Sequence, residues 1–328
     1  MTVRRLKSLL VAVREIERPP REFLGKAVRL AQRHAAKLEL LHVIASPYVL
    51  PNEPGGIAAA KRKEVERQRL KLERVAQRFR NAGVDVSCSV VWDYPAADAI
   101  VRHVFKTRPD LVLAESHRHW KLARWFVTHT DWELIRSCPC PLWLVKTRGL
   151  ADELRVLAAV DPFHTRSKPA ALDAEIVRVG RIATQSATGD GGRLGMTYVY
   201  PLPIAMIAGG MGEPIWVAAP AAQQQRVKQR VSQAVGTLAD RFDIPKADRI
   251  VVAGDAIADL PAVAKRWRAN LLVMGAVSRG TIERVFIGNT AERVIDAAHC
   301  DVLIVKPRSF KSPVNRRANP PIIPMPPM

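Results

Sequence analysis

Residues 268–306 read R-A-N-L-L-V-M-G-A-V-S-R-G-T-I-E-R-V-F-I-G-N-T-A-E-R-V-I-D-A-A-H-C-D-V-L-I-V-K. Two apolar runs, 271–274 and 302–305, enclose a glycine-spaced loop and an amphipathic helical segment. Apolar runs without alternation that are joined by a helix are typical of buried parallel strands in a βαβ unit. The loop after the first strand should therefore open at the carboxyl edge of a parallel sheet, where open α/β folds bind their ligands.

The glycines of this loop suit a phosphate site. Gly275, Gly280 and Gly288 lie after the first run, and Asn289 or Thr290 can cap the helix that follows. The free amides and the positive dipole end of a helix N-terminus attract phosphate. The alternative is that the glycines serve turn geometry alone.

Length and composition indicate a cytoplasmic protein of two domains. The chain has 328 residues, of which 48% are hydrophobic, enough for two cores. No apolar run reaches the roughly 18 residues that span a bilayer, and the first 30 residues lack a signal-peptide pattern. Four cysteines in a chain of this length do not form a disulfide framework, which fits a reducing compartment.

The chain is strongly basic, with a formal net charge of +20 and a pI near 10.5. Such a charge favours contact with nucleic acid or anionic membrane, although solubility explains it equally well. No helix-turn-helix, zinc-finger, RNP or KH pattern accompanies the charge, so we predict no specific nucleic-acid recognition.

An internal repeat divides the chain. Thr130 and Thr290, Cys140 and Cys300, and Lys146 and Lys306 are separated by the same 160 positions. Each half alternates predicted strands and helices, which predicts an α/β fold of two tandem, doubly wound, parallel five-stranded sheets. We place the first domain at 1–147, a linker at 148–153, the second domain at 154–308, and a proline-rich tail, expected to be disordered, at 309–328.

The second half carries a phrase that identifies a resemblance. Residues 287–307 read I-G-N-T-A-E-R-V-I-D-A-A-H-C-D-V-L-I-V-K-P. This phrase resembles the universal stress protein family, and its tandem-domain subgroup in particular. The family's nucleotide-binding members carry G-x2-G-x9-G-[S/T], where this chain has Gly275, Ser278, Gly288 and Asn289, so two positions match and two are substituted. The resemblance implies a Rossmann-like fold, packing of the two domains as an internal pseudo-dimer, and stress resistance through ligand binding.

The resemblance also implies a nucleotide site, for ATP, in the second half. Asp161 would face the sugar or base, and backbone amides of the glycine loop would face the phosphates. The implied nucleotide-binding set is Asp161, Pro162, Val199, Met274, Gly275, Ser278, Gly280, Gly288, Asn289 and Thr290. The first half has Arg14 in place of that aspartate, and Glu115, Arg118 and Thr128 in place of the glycine positions, so we expect it to have lost the site.

The corresponding loop of the first half, S-H-R-H-W-K-L-A-R-W-F-V-T-H-T-D-W, is dense in His, Arg and Trp. His117 and His119 could turn toward one ion, and imidazole suits Zn or Ni. The alternative is a basic loop whose tryptophans pack on the other domain. Cys138-Pro-Cys140 lacks the two-residue spacing of zinc and redox motifs, so we predict that it packs at the edge of a strand.

Other functions stay open at this point. The apolar insertion P-L-P-I-A-M-I-A-G-G-M-G-E-P-I-W, residues 201–216, suits either a cavity for an apolar, lipid-like ligand or an interface flap. The sequence shows no Ser/His/Asp arrangement and no Walker lysine, which favours binding over catalysis. Slow Mg²⁺-dependent ATP hydrolysis in the second half, a basic scaffold and a homodimer of whole chains remain alternatives.

Overall fold

The computed structural model describes residues 5–46, 56–116, 129–146, 149–163, 171–186, 189–190, 192–208, 214–276 and 289–318. None of the helices within these ranges is long and apolar enough to cross a membrane. The unbroken apolar runs of the sequence form strands, and the amphipathic segments form the helices that cover them.

The first half alternates strands and helices through five strands. In chain order these elements are β1 (Ser8–Ala12), α1 (Arg21–His34), β2 (Lys37–Ile44), α2 (Gly56–Arg80), β3 (Val86–Trp92), α3 (Ala96–Thr107), β4 (Leu111–Glu115), α4 (His129–Ser137) and β5 (Leu142–Val145). The strands are parallel, in the order β5-β4-β1-β2-β3. This is the doubly wound sheet that the sequence predicts.

The second half repeats the order with insertions. Its elements are β6 (Leu154–Ala159), α5 (Ala171–Thr184), β7 (Gln185–Ser186), β8 (Gly189–Asp190), β9 (Gly192–Tyr200), β10 (Ile204–Ala208), β11 (Pro214–Ala218), α6 (Ala221–Asp240), β12 (Arg249–Ala253), α7 (Ala256–Arg266), β13 (Leu271–Gly275), α8 (Asn289–Ala297) and β14 (Asp301–Val305). The parallel strands have the order β14-β13-β6-β9-β12, which matches the first half strand for strand.

The two halves join edge to edge in one ten-stranded sheet. Strands β5 and β14 pair antiparallel, with Leu144 opposite Val302 and Leu142 opposite Ile304. Because the halves meet antiparallel, the carboxyl edges of their strands lie at opposite edges of the sheet. This seam is the pseudo-dimer contact, and it makes the sheet continuous across both domains.

Each face of the sheet has its own core. One face is covered by α1, α2, α5 and α6, with Phe23, Leu72, Ile176 and Val235 among its buried side chains. The other face is covered by α3, α4, α7 and α8. Since strand residues alternate between the faces, both cores run across the seam.

Buried polar groups tie the seam together. The carboxylate of Asp301, 1% exposed, accepts hydrogen bonds from Trp143 Nε1 at 2.8 Å and from the Lys146 N–H at 2.9 Å. It also pairs with Lys26 Nζ at 2.6 Å, and Lys26 is 3% exposed. One carboxylate of the second half therefore holds three groups of the first half.

Two segments differ from simple loops. The apolar insertion forms an antiparallel hairpin of β10 and β11, in which Ile204 pairs with Ala218. In the tail from residue 309, for which we expected disorder, Val314 packs against the core on the face covered by α3, α4, α7 and α8. The Arg316 guanidinium lies 5.1 Å from the Phe105 ring centroid. Residues 319–328 lie outside the described ranges.

Candidate functional site

The carboxyl ends of β6, β9 and β13 bring five of the predicted residues of the second half to one edge, namely Asp161, Pro162, Val199, Met274 and Gly275. Ala159 of β6 is in register with Met274 of β13 and with Thr197 of β9. Asp161 and Pro162 follow β6 directly, Val199 lies near the end of β9, and Gly275 ends β13. This point, where the strand order reverses, is the crevice in which doubly wound sheets bind ligands.

A second carboxylate holds the loop that carries Asp161. The N–H of Asp161 donates to Asp173 Oδ1 at 3.0 Å, and Asp173 is buried in the first turn of α5. An acidic residue in the first turn also interacts favourably with the helix dipole. Asp173 was not predicted from the sequence, although an acidic residue in the first turn of a helix is a signal that could have found it.

Gly275 has a packing role. An added Cβ would lie 2.8 Å from Leu172 Cδ2 and 3.2 Å from Ile176 Cδ1, both of which belong to α5. Its backbone φ is not in the left-handed region, and its strand pairs normally with β14. The glycine is therefore explained by the close approach of α5 to β13.

The phosphate-facing part of the predicted site is described only at its two ends. Met274, Gly275 and Ala276 stand before the glycine loop, and α8 begins at Asn289 and continues through Thr290. Ser278, Gly280 and Gly288 lie outside the described residues. Helix α8 has nine residues and packs on the same face of the sheet as α7. In the chain, its N-terminus comes directly after the glycine loop.

The loop that carries Asp161 also carries an aromatic ring that packs against β9. Phe163 lies two residues after it, with its ring centroid 6.0 Å from that of Tyr198 on β9. The Arg230 guanidinium of α6 stands 5.6 Å from the Phe163 centroid, a cation–π distance. This group was not predicted from the sequence because its members lie far apart in the chain.

The same edge of the first half is built from different charges. Arg14 follows β1 where Asp161 follows β6, and Glu115 ends β4 where Gly275 ends β13. Burial raises the pKa of Glu115, the charge of Asp131 raises it further, and Arg14 opposes both. A carboxylate at this position repels phosphate.

The predicted metal ligands His117 and His119 lie outside the described residues, as do Arg118 and Thr128. Within the described ranges, no three His, Cys, Asp or Glu side chains converge as a metal site. The histidine loop therefore stays a prediction from sequence.

Comparison with known proteins finds one family domain in each half of the chain. The model of the universal stress protein family matches twice, at residues 6–146 and 154–306. Universal stress protein E of Escherichia coli K12 is 29% identical over 300 residues, which cover 89% of this chain and 91% of that protein. A Haemophilus influenzae homologue of that protein is 26% identical over 293 residues, with 87% and 92% covered.

Solved structures share the tandem fold. A functionally unknown protein from Pseudomonas aeruginosa PAO1 superposes with a TM-score of 0.69 at 22% identity, covering 92% of this chain and 93% of that one. A universal stress protein from Archaeoglobus fulgidus has a TM-score of 0.61 at 16% identity, with 92% and 98% covered. At these identities the likeness concerns the fold alone.

Proposed function

This chain belongs to the universal stress protein family, with the family domain present twice, and from that premise we propose that it acts in stress resistance by binding a nucleotide in its second half. The first half, on this proposal, no longer binds one. The ligand we expect is ATP, held at the carboxyl edge of β6, β9 and β13.

The observation that carries the proposal is the contrast between two equivalent edges. The second half has Asp161 and Gly275 at the strand ends, whereas the first half has Arg14 and Glu115 there. A carboxylate accepts hydrogen bonds from ribose hydroxyls or from a base amino group, while glycine puts no charge beside a phosphate. In the first half, Arg14 replaces the accepting carboxylate with a cation, and Glu115 puts a carboxyl group where the glycine stood.

Each described group has a role in this proposal. Asp161 accepts from the nucleoside, and Asp173 keeps its loop in place through the Asp161 N–H. Val199 and Met274 supply apolar surface beside the base, and the N-terminus of α8 faces the phosphates. Ser278, Gly280 and Gly288 belong to the same proposed phosphate loop.

The decisive experiment is calorimetric titration of the full chain with ATP and Mg²⁺. We expect Asp161→Asn to weaken binding about tenfold or more, because it removes a charged hydrogen-bond acceptor while keeping the side-chain size. Arg14→Asn is the matched control at the equivalent position of the first half, and it should leave the affinity unchanged. Equal loss in both variants, or no binding by the unaltered chain, would refute the proposal.

The same samples decide between binding and hydrolysis. A slow ATPase would release ADP in the presence of Mg²⁺, stop in EDTA, and lose this activity in Asp161→Asn. Bound ATP that is recovered intact after long incubation would make the second half a nucleotide-binding switch without turnover.

The net charge of +20 supports a second candidate, a scaffold that associates with polyanions. The logarithm of the binding constant for mixed-sequence DNA should then fall linearly with the logarithm of the salt concentration. The binding should show no sequence preference. It should also be unaffected by Asp161→Asn, which separates this function from nucleotide binding.

A further inference from the structure

Two cysteines meet in the first half, at the turn between α4 and β5. Cys138 directly follows α4, and its N–H donates to the Leu134 carbonyl at 2.9 Å. Cys140 lies beyond Pro139, and its Sγ is 3.7 Å from that of Cys138. A disulfide needs a sulfur–sulfur distance of about 2.05 Å, so a small local movement would close the pair.

The pair has one buried and one accessible member. Cys138 is 1% exposed, whereas Cys140 is half-buried. Cys140 lines a cavity of about 270 Å³ that runs toward α5, and a second cavity of about 210 Å³ beside α3. Cys138 lines neither cavity, so a small molecule that enters one of them would meet Cys140 before Cys138.

Charge distinguishes the two sulfurs. The hydrogen bond with Cys140 lowers the pKa of Cys138, and the positive charge of the buried Lys306 lowers it further. The pKa of Cys140 is raised well above its usual value, mainly by the same hydrogen bond and by burial. These shifts favour the thiolate on Cys138 and the thiol on Cys140, while burial lowers the pKa of Lys306 itself to about 8.

The second half lacks this arrangement and serves as an internal comparison. Ala298 stands where Cys138 stands in the first half, so Cys300 has no equivalent partner at that position. Lys146, the counterpart of Lys306, donates instead to the carbonyls of Ile295 and Ala298. The dithiol is thus an addition to the repeat that symmetry does not explain.

The other two thiols are poorly reactive. Burial raises the pKa of Cys300 to about 12 and that of Cys88 to about 12. Within the described residues neither lies beside a second thiol that could take its proton, so both should oxidise slowly.

We propose that Cys138 and Cys140 form a dithiol site that reduces a small hydroperoxide and closes to an intramolecular disulfide. The sulfur of Cys140 attacks one peroxide oxygen, and its proton passes to Cys138. A sulfur–oxygen bond forms, the oxygen–oxygen bond breaks, and the departing hydroxide takes the proton from Cys138 to leave as water.

The second step closes the disulfide. The Cys138 thiolate, stabilised by the Lys306 ammonium, attacks the sulfenic sulfur of Cys140. The sulfur–sulfur bond forms while the sulfur–oxygen bond breaks, and the second hydroxide leaves as water with a proton from solvent. The two sulfurs lose two electrons together, and one hydrogen peroxide becomes two waters.

Peptide mapping of the full chain tests the proposal. The reduced protein is treated with an equimolar amount of hydrogen peroxide, alkylated under denaturing conditions and digested with trypsin. Cys138 and Cys140 fall together on the peptide Ser137–Lys146, while Cys88 and Cys300 fall on two others. We expect the Ser137–Lys146 peptide to become two hydrogens lighter and to take up no alkyl group. This oxidation should be about tenfold faster than the oxidation of Cys88 or Cys300.

The variants sharpen the result. Cys138→Ser should leave Cys140 as a sulfenic acid that a dimedone probe captures, with no disulfide on the peptide. Cys300→Ser should oxidise at the pair as fast as the unaltered chain. Oxidation of all four cysteines at equal rates, or a Ser137–Lys146 peptide that still takes two alkyl groups, would overturn the proposal.

Discussion

At the scale of single residues, His34 is a buried imidazole at the end of α1. It is 2% exposed, and neither ring nitrogen has a hydrogen-bond partner within the described residues. Burial lowers its pKa to about 4, and the charges of Arg33 and Arg5 add to the effect. The folded protein therefore holds this ring in its neutral form.

This shift makes the fold sensitive to acid. The folded-state pKa lies below the unfolded value of 6.5, so the unfolded chain binds the proton more readily. The free energy of unfolding should fall as pH drops from about 6.5 to 4, by roughly 2–3 kcal/mol from this group alone. In urea denaturation, the difference in unfolding free energy between pH 7 and pH 4 should be smaller in His34→Leu than in the unaltered chain by that amount.

His299 offers the matched control because it is exposed. His299→Leu should keep the full loss of stability between pH 7 and pH 4. If His34→Leu and the unaltered chain lose the same free energy over that range, the neutral buried ring is not the cause.

At the scale of secondary-structure elements, Gly275 tests whether packing or ligand binding requires the glycine. Gly275→Ala places a methyl group 2.8 Å from Leu172 Cδ2 in a filled core. Overpacking of this kind costs about 1–2 kcal/mol of unfolding free energy. Thermal denaturation without any ligand should detect it.

Gly25 is the matched control within a helix. The residue stands inside α1, and apart from its chain neighbours and the backbone of that helix no atom of the described residues lies within 4 Å of a Cβ added there. Gly25→Ala should therefore raise stability by about 0.5–1 kcal/mol, through helix propensity. A Gly275→Ala protein as stable as the unaltered chain would mean that α5 can yield, and the phosphate interpretation of this glycine would regain support.

The strands and helices were largely predictable from the sequence, whereas the contacts between their side chains were not. The apolar runs at 271–274 and 302–305 gave buried parallel strands because hydrophobic pattern is a local property. Phe163 was missed because its packing against Tyr198 and Arg230 arises only on folding. Likewise, the Cys138-Pro139-Cys140 spacing gave no indication that the two sulfurs lie 3.7 Å apart.

At the scale of the whole molecule, Asp301 couples the two halves. Asp301→Asn would keep the side-chain volume but remove the charge that faces Lys26 in the interior. Removing one partner of a buried ion pair costs about 3–5 kcal/mol. We therefore expect a loss of about 3 kcal/mol in the free energy of unfolding.

Calorimetry checks the coupling as well as the magnitude. The unaltered chain should unfold in a single transition, because the sheet and both cores are continuous across the seam. Asp85→Asn, in an exposed ion pair with Lys37 at 4.0 Å, should change stability by less than about 0.5 kcal/mol. Two separate transitions in the unaltered protein would contradict the idea of one cooperative unit.

The tandem arrangement of the halves across the β5–β14 seam has a consequence for how the protein can evolve. When two identical subunits assemble around an axis, every substitution is copied onto both sides of it. Here both sides are encoded in one chain, so one position can become Arg14 while its counterpart stays Asp161. Covalent linkage also fixes the ratio of the two halves at one to one, and each half meets the other at the β5–β14 seam. In a single chain, a substitution in one half therefore leaves the sequence of the other half unchanged.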